Sequence, residues 1–290
     1  MSMTAPTTNS SPSAIAQQGL ARLPASFWWA AAVLAVVLTM ALAGLLMGDA
    51  AARIDPDAVT QPPSPLHWLG TDEMGRDLFA RLSVGAIISL FIGLSTALVA
   101  MGIGTAYGTL AALCHNSRLE NVDMAMMRFI DIMYSLPGLM VVILFSIFLG
   151  RSLLSIVLAL AFFSWPDTAR LIRGQVLALK QEAFVEAFTS LGGHPFRLVW
   201  RHFIPNLLSL MILSTTITVP RAILTESTLS FVGLGVAPPL SSWGTMINDG
   251  WQMIRMAPHL VLIPSIMLFL TMVALNLMGE ALDHTLNPQA

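Results

Sequence analysis

Charge is what this sequence has least of. Of its 290 residues, 10% are Asp, Glu, Lys or Arg, against about 25% in a soluble domain. A water-soluble globule of this length could not cover its surface with so few charges. A hydrophobic share of 56% is in turn far too high for a chain disordered throughout. The net charge of −2 leaves no basic footprint for nucleic acid. Cysteine occurs once, as Cys114, which excludes a disulfide scaffold and any cysteine-based zinc or iron–sulfur site built within this chain. Lysine also occurs once, as Lys180 between Leu179 and Gln181. A P-loop needs Gly-Lys-Ser/Thr, so P-loop ATP hydrolysis is excluded from this polypeptide. Neither HExxH nor GxSxG occurs, which removes the zinc-protease and serine-hydrolase signatures. The chain reads as a non-enzyme.

What is abundant is uncharged apolar sequence, in runs of the ~20 residues that cross a bilayer core about 30 Å thick. Residues 1–26 are rich in Ser, Thr, Pro, Asn, Gln and Ala, carry only Arg22, and read as a disordered tail. The run 27–48 is uncharged and forms a first span; a cleaved signal peptide would have an apolar core of only about 7–15 residues. Residues 49–83 hold six acids, three arginines and four prolines. They read as a loop outside the hydrocarbon with a short interfacial helix, for which Thr71 or Asp72 could serve as the cap. The 31 uncharged residues Val84–Cys114 make a second, tilted span. Further spans are expected at 122–150, from 151 to Trp165–Pro166, from Pro205–Asn206 to Leu224, and at 259–279. Between them lie a polar segment, 165–205, and a Gly-, Pro- and Ser-rich irregular loop, 225–258. The expected architecture is an all-α polytopic membrane protein of six transmembrane helices, with its core at 84–280 and a short tail at 281–290.

An even number of spans puts both termini on one side, and basic residues choose it. Arg22, Arg118 and the five bases of 165–205 make seven; Arg53, Arg76, Arg81, Arg151 and Arg255 make five on the other side. The dense 165–205 cluster therefore assigns that segment and both termini to the cytoplasm.

Within this segment, Ala178–Leu191 reads as a helix carrying Phe184, Val185, Phe188 and Leu191 along one side. Gly192-Gly193 stops it, and Pro195 suits the first turn of a second helix, Phe196–Ile204. By physics alone this hairpin is either an interfacial amphipathic element or a docking element for another protein. Ala100, Gly104, Gly108 and Ala112 recur every four residues, a spacing that permits close helix approach inside the chain or against a partner. Arg128 and Asp131 stand three apart and can pair on one helix face, with Asp123 a turn earlier. Arg221 and Glu226 are five apart, so they line an outer mouth or anchor the 225–258 loop. The mixed-charge segment 67–82 is a solvated cap or a contact for an external protein. The 18 methionines read as filler in apolar spans, and no metal site is evident.

Several segments together carry a family resemblance. Glu186-Ala187-Phe188, Gly192 six residues after Glu186, and Ile204-Pro205 ending thirteen residues after Gly192 match the EAA loop of ABC-importer permeases. The segments HWLGTDEMGRDLFARL (67–82), MRFIDIMYSLPGL (127–139), ARLIRGQVLALK (169–180), RHFIPN (201–206), ESTLSFVGLG (226–235) and SSWG (241–244) resemble, in order, the C-type permease of oligopeptide and dipeptide importers. Phe188 departs from the second alanine of the pattern. The resemblance implies a type I importer permease fold in a bacterial cytoplasmic membrane, surrounded by lipid. It also implies a homologous second permease, two ATP-binding subunits that hold ATP and Mg and receive the EAA loop, and an extracytoplasmic substrate-binding protein. Oligopeptides are the expected substrate, ahead of dipeptides; nickel chelates or glutathione through the same machinery are alternatives. A stand-alone secondary transporter would instead need an inverted repeat and coupling-ion groups at midplane.

Overall fold

The computed structural model describes residues 25–286, so the expected tail at 1–26 lies almost wholly outside the described residues. Helix α1 (Ala25–Leu46) is the first uncharged run. A short helix α2 (Gly48–Ala52) and a 3-10 turn at Pro56–Ala58 lead into a compact loop. The helix α3 (Leu78–Cys114) that follows is capped by Asp77, whose side chain accepts from the Ala80 N–H at 2.8 Å. Thr71 and Asp72, the expected caps, are used otherwise. The Thr71 hydroxyl donates to Ala58 O and accepts from Gln61 N. Asp72 folds the turn itself, accepting from the backbone of Met74 and Arg76.

Helix α3 has 37 residues, a length of roughly 55 Å, and is the mast against which α1, α6 (Leu153–Leu179) and α9 (Ile204–Phe231) pack. Its small-residue stripe lies against α6 of the same chain. A Cβ on Gly104 would meet Thr168 Cβ at 2.6 Å, and one on Gly108 would meet Ala169 O at 2.3 Å. Those glycines set how close the two helices come.

Several expected boundaries give way. The run 122–150 is not one span but two helices, α4 (Glu120–Ser135) and α5 (Gly138–Leu149), bent by 88° at Leu136-Pro137. Pro137 supplies no N–H and forces Leu136 out of the helical region. The fourth span does not stop at Trp165-Pro166: α6 runs on to Leu179. Trp165 and Pro166 are both buried in its interior, so one missing hydrogen bond does not undo a helix clamped along its length by α3. Residues 165–179 are therefore helix, not loop. The fifth helix, α9 (Ile204–Phe231), likewise passes Leu224, and α10 (Trp243–Gln252) makes part of 225–258 helical, started by a Ser242–Thr245 capping box. Helix α11 (His259–Leu286) outlasts its expected end at 279. Among the described residues, five helices are long and apolar enough to cross a membrane, and up to six spans result when the bent pair is taken as one.

The helix ends gather at two poles. At one, the 47–77 loop, the 150–152 turn and the 232–258 segment meet. Ala237 N donates to Arg151 O at 3.2 Å, and Arg81 bridges Asp72 at 2.5 Å and Asp249 at 2.9 Å. At the other, the 115–119 turn meets the 180–203 hairpin.

Candidate functional site

Two features stand out from the packed helices, one at a pole and one at mid-depth. The polar feature is a hairpin of α7 (Ala183–Ser190), α8 (Pro195–Leu198) and a π-helical turn, Val199–Phe203. The continuous helix expected over Ala178–Leu191 is broken: Glu182 is extended and α7 starts afresh at Ala183. Gly192 has φ +74° and ends α7, with Gly192 N donating to Thr189 O and Gly193 N reaching back to Phe188 O. Open space surrounds a Cβ built at Gly192, whereas one at Gly193 would lie 2.1 Å from the Phe188 ring. Gly193 is thus the position that packing reserves for glycine, and sequence reading had treated it only as part of the stop. Phe188 turns its ring inward, against Gly193 and against His202, 5.3 Å between centroids. Glu186 and Ala187 remain exposed. Pro205 enters α9 at its first turn. It has no N–H to give the carbonyl four residues back, where the chain takes its π turn instead.

The hairpin is fixed to the helix ends beneath it. Val185, Leu198, Phe203 and Leu207 form one buried cluster with Ile172 and Val176 of α6 and Ala112 of α3. Lys180 Nζ donates to Ala112 O at 2.9 Å and His115 O at 3.0 Å, the free carbonyls at the end of α3. Burial lowers the Lys180 pKa, with Asp123 partly opposing it. Asp123 also takes two hydrogen bonds from Arg173, at 2.8 and 2.6 Å, and one contact with His115 at 2.9 Å. Facing outward are Leu191, Phe196 and Trp200, 88%, 66% and 61% exposed. One face is locked to α3, α6 and α9, and the other exposes large apolar side chains.

The second feature lies half-way along the spans. Asp167 lies one residue past the midpoint of α6. Its carboxylate accepts from the Tyr134 hydroxyl at the end of α4 and from Arg221 Nη1 of α9 at 3.4 Å. Nearby, Arg170 donates to Asp131 and stands 4.5 Å over the Tyr134 ring. The pair Asp167–Arg221 borders a groove of about 280 Å³, lined also by Gly138, Val142, Ser164 and Thr218. The α4–α5 break opens onto it.

This differs from the pairing expected from sequence. Asp131 pairs across to Arg170 rather than with Arg128, which is exposed and, among the described residues, joins no ion pair. Arg170 offers a facing helix, so the three-residue spacing on α4 loses to it. Arg221 does pair at mid-depth. Glu226 does not share its environment: it is 0% exposed, and its Oε1 accepts from Ser230 at 2.6 Å and Ser242 at 2.7 Å. Since Ser242 caps α10, Glu226 ties α9 to the 225–258 segment. Asp167, Tyr134 and Arg170 were not singled out from sequence. The signal was Asp167 within an otherwise apolar stretch, hidden by ending the span one residue before it. No group of His, Cys, Asp or Glu able to hold a metal occurs among the described residues.

Comparison with known proteins decides the family. A profile described as binding-protein-dependent transport system inner membrane component matches residues 104–289. The chain belongs to that family. This permease is 40% identical over 229 residues to the oligopeptide transport system permease protein OppC of Bacillus subtilis, covering 79% of this chain and 74% of that one. It is 42% identical over 230 residues to the dipeptide transport system permease protein DppC of the same organism, covering 79% and 70%. It is 37% identical over 263 residues to the glutathione transport system permease protein GsiD of Pectobacterium atrosepticum, covering 89% and 86%. Two inward-facing structures of the MetNI methionine ABC transporter share its fold. They have TM-scores of 0.54 and 0.52 at 18% identity, covering 70% and 68% of this chain and 96% and 94% of theirs. The permease is therefore a multi-pass inner-membrane component of an ABC importer, and its relatives are permeases, not enzymes.

Proposed function

We propose that this permease forms half of the translocation pathway of an ATP-driven importer for short peptides, oligopeptides before dipeptides. The observation that carries the coupling part is the two-sided hairpin. Its inner face is fixed to α3, α6 and α9, and its outer face presents Leu191, Phe196 and Trp200. Such an element passes a push from a bound partner to the helices as a rigid-body movement. The partners are two ATP-binding subunits, which hold ATP and Mg and receive Glu186, Ala187, Gly192 and their neighbours. A homologous second permease covers the mid-depth groove, and an extracytoplasmic binding protein delivers substrate at the opposite pole. In this reading the hairpin pole and both termini are cytoplasmic, supported by the basic residues Arg173, Lys180, Arg197 and Arg201 near that pole.

The peptide assignment rests on the names of relatives. Those relatives span oligopeptide, dipeptide and glutathione systems at similar identity, so the preference for oligopeptides rests on the RGQVLALK and SSWG segments. The test is uptake by proteoliposomes holding this permease with its encoded partner subunits and binding protein. ATP-dependent accumulation of labelled di- to pentapeptides supports the reading. Accumulation of nickel chelates or glutathione with no peptide uptake overturns the substrate. Uptake that persists without the ATPases overturns the mechanism.

A further inference from the structure

The geometry points to Arg221 as a carboxylate-binding residue of the pathway, with Asp167 and Tyr134 as its holder. This rests on the peptide-importer reading and names the substrate group that the site would recognise. Three observations carry it. First, Arg221 and Asp167 are 71% and 56% exposed well inside α9 and α6, ten and twelve residues from the nearer helix end. A charged side chain facing hydrocarbon at that depth is costly, so such groups face water or protein. Second, the backbone is broken beside them at Leu136-Pro137, and non-helical backbone at membrane depth persists only against protein or a water-filled cavity. Third, among the described residues the Arg221 fork is mostly unused. It makes one long contact, Nη1 to Asp167 Oδ2 at 3.4 Å, out of five available N–H donors.

A guanidinium with a free fork matches a carboxylate bidentately. Every linear peptide with free termini carries one such carboxylate and one ammonium, whatever its side chains. Recognition at Arg221 would therefore grip the feature that a mixed set of peptides has in common. The exposed pair with Asp167 is weak and can exchange partners: Arg221 turns to the carboxylate, while Asp167, still held by Tyr134, accepts from the ammonium. The groove of about 280 Å³ is large enough for a terminal residue, not a whole peptide.

Arg221→Cys, made in a Cys114→Ser background, tests this in the complete assembly with saturating peptide-loaded binding protein. Loss of a charge-assisted contact predicts peptide uptake reduced about tenfold or more at matched assembly. Aminoethyl thiosulfonate, which returns a cation of lysine's length, should restore uptake several-fold. Methyl thiosulfonate should not, and peptide should slow both reactions. The inference is overturned if the thiol does not react with water-soluble reagent, if uptake is unaffected, or if the neutral adduct restores as well as the cationic one. If the Cys114→Ser assembly itself imports no peptide, the peptide reading falls and takes this inference with it; in every other failure the importer reading stands.

Discussion

At the scale of residues, the two adjacent glycines at 192 and 193 do different work. Gly192 needs its left-handed backbone but has free space around it. Gly192→Val should cost about 1–2 kcal/mol of local strain, leave the permease in the membrane, and weaken coupling by tilting the last turn of α7. Gly193→Ala drives a methyl into the Phe188 ring and should cost about 1–3 kcal/mol by overpacking. Phe188→Ala in the same chain should recover most of that. Uptake and ATPase co-purification at matched expression read both; an additive double variant would show that the ring and Gly193 do not interact. Glu73 gives a pH-dependent test. Its carboxyl is raised above 4.5 mainly by burial, then by Asp249 and Asp72, against the pull of Arg76 and Arg81. A raised carboxyl favours folding when protonated, so its contribution is present below the ordinary carboxylate range and is lost as pH rises through the folded value. The melting temperature of wild type relative to Glu73→Gln should therefore fall as pH increases from about 4.5 towards neutrality. A difference that is flat or rising contradicts this.

At the scale of elements, Glu226 makes a clear prediction. It joins the end of α9 to the cap of α10 through Ser230 and Ser242. Glu226→Ala leaves hydroxyls buried without their partner, at about 1–3 kcal/mol for each lost bond, and should expose 232–258 to protease before the helices unfold. Protease resistance equal to wild type would mean that α10 is held by Trp243 packing alone. The sequence made the long apolar helices legible, because an uncharged run such as Val84–Cys114 has no other stable state in a membrane. It also made legible the Gly192 stop and the Gly104–Gly108 seam, each of which depends on local chemistry or simple periodicity. What it hid were features decided by neighbours. Pro166 looks like a helix end and Pro137 like an ordinary interior residue, yet only Pro137 breaks its span. Clamping by α3 spares the first, and the second has no comparable support. That reversal concealed Asp167 and, with it, the mid-depth groove. Glu226 was similarly ambiguous, since its partner Ser242 lies sixteen residues away.

At the scale of the whole molecule, the account requires a defined orientation and dependence on partners. Single cysteines replacing Asp57 and Gln181, both exposed, can be probed in a Cys114→Ser background with an impermeant thiol reagent on intact cells. Labelling at 57 and protection at 181 is expected; the opposite pattern inverts the topology. The central claim is that this chain is a pathway driven from outside itself, through the hairpin. Peptide uptake by proteoliposomes, with and without the ATP-binding subunits, tests it most directly. The account predicts no ATP turnover and no accumulation by this chain alone, ATP-dependent accumulation by the full assembly, and loss of that accumulation in Glu186→Lys despite normal insertion. Accumulation by the chain alone, or wild-type uptake by Glu186→Lys and Gly192→Val together, would contradict it.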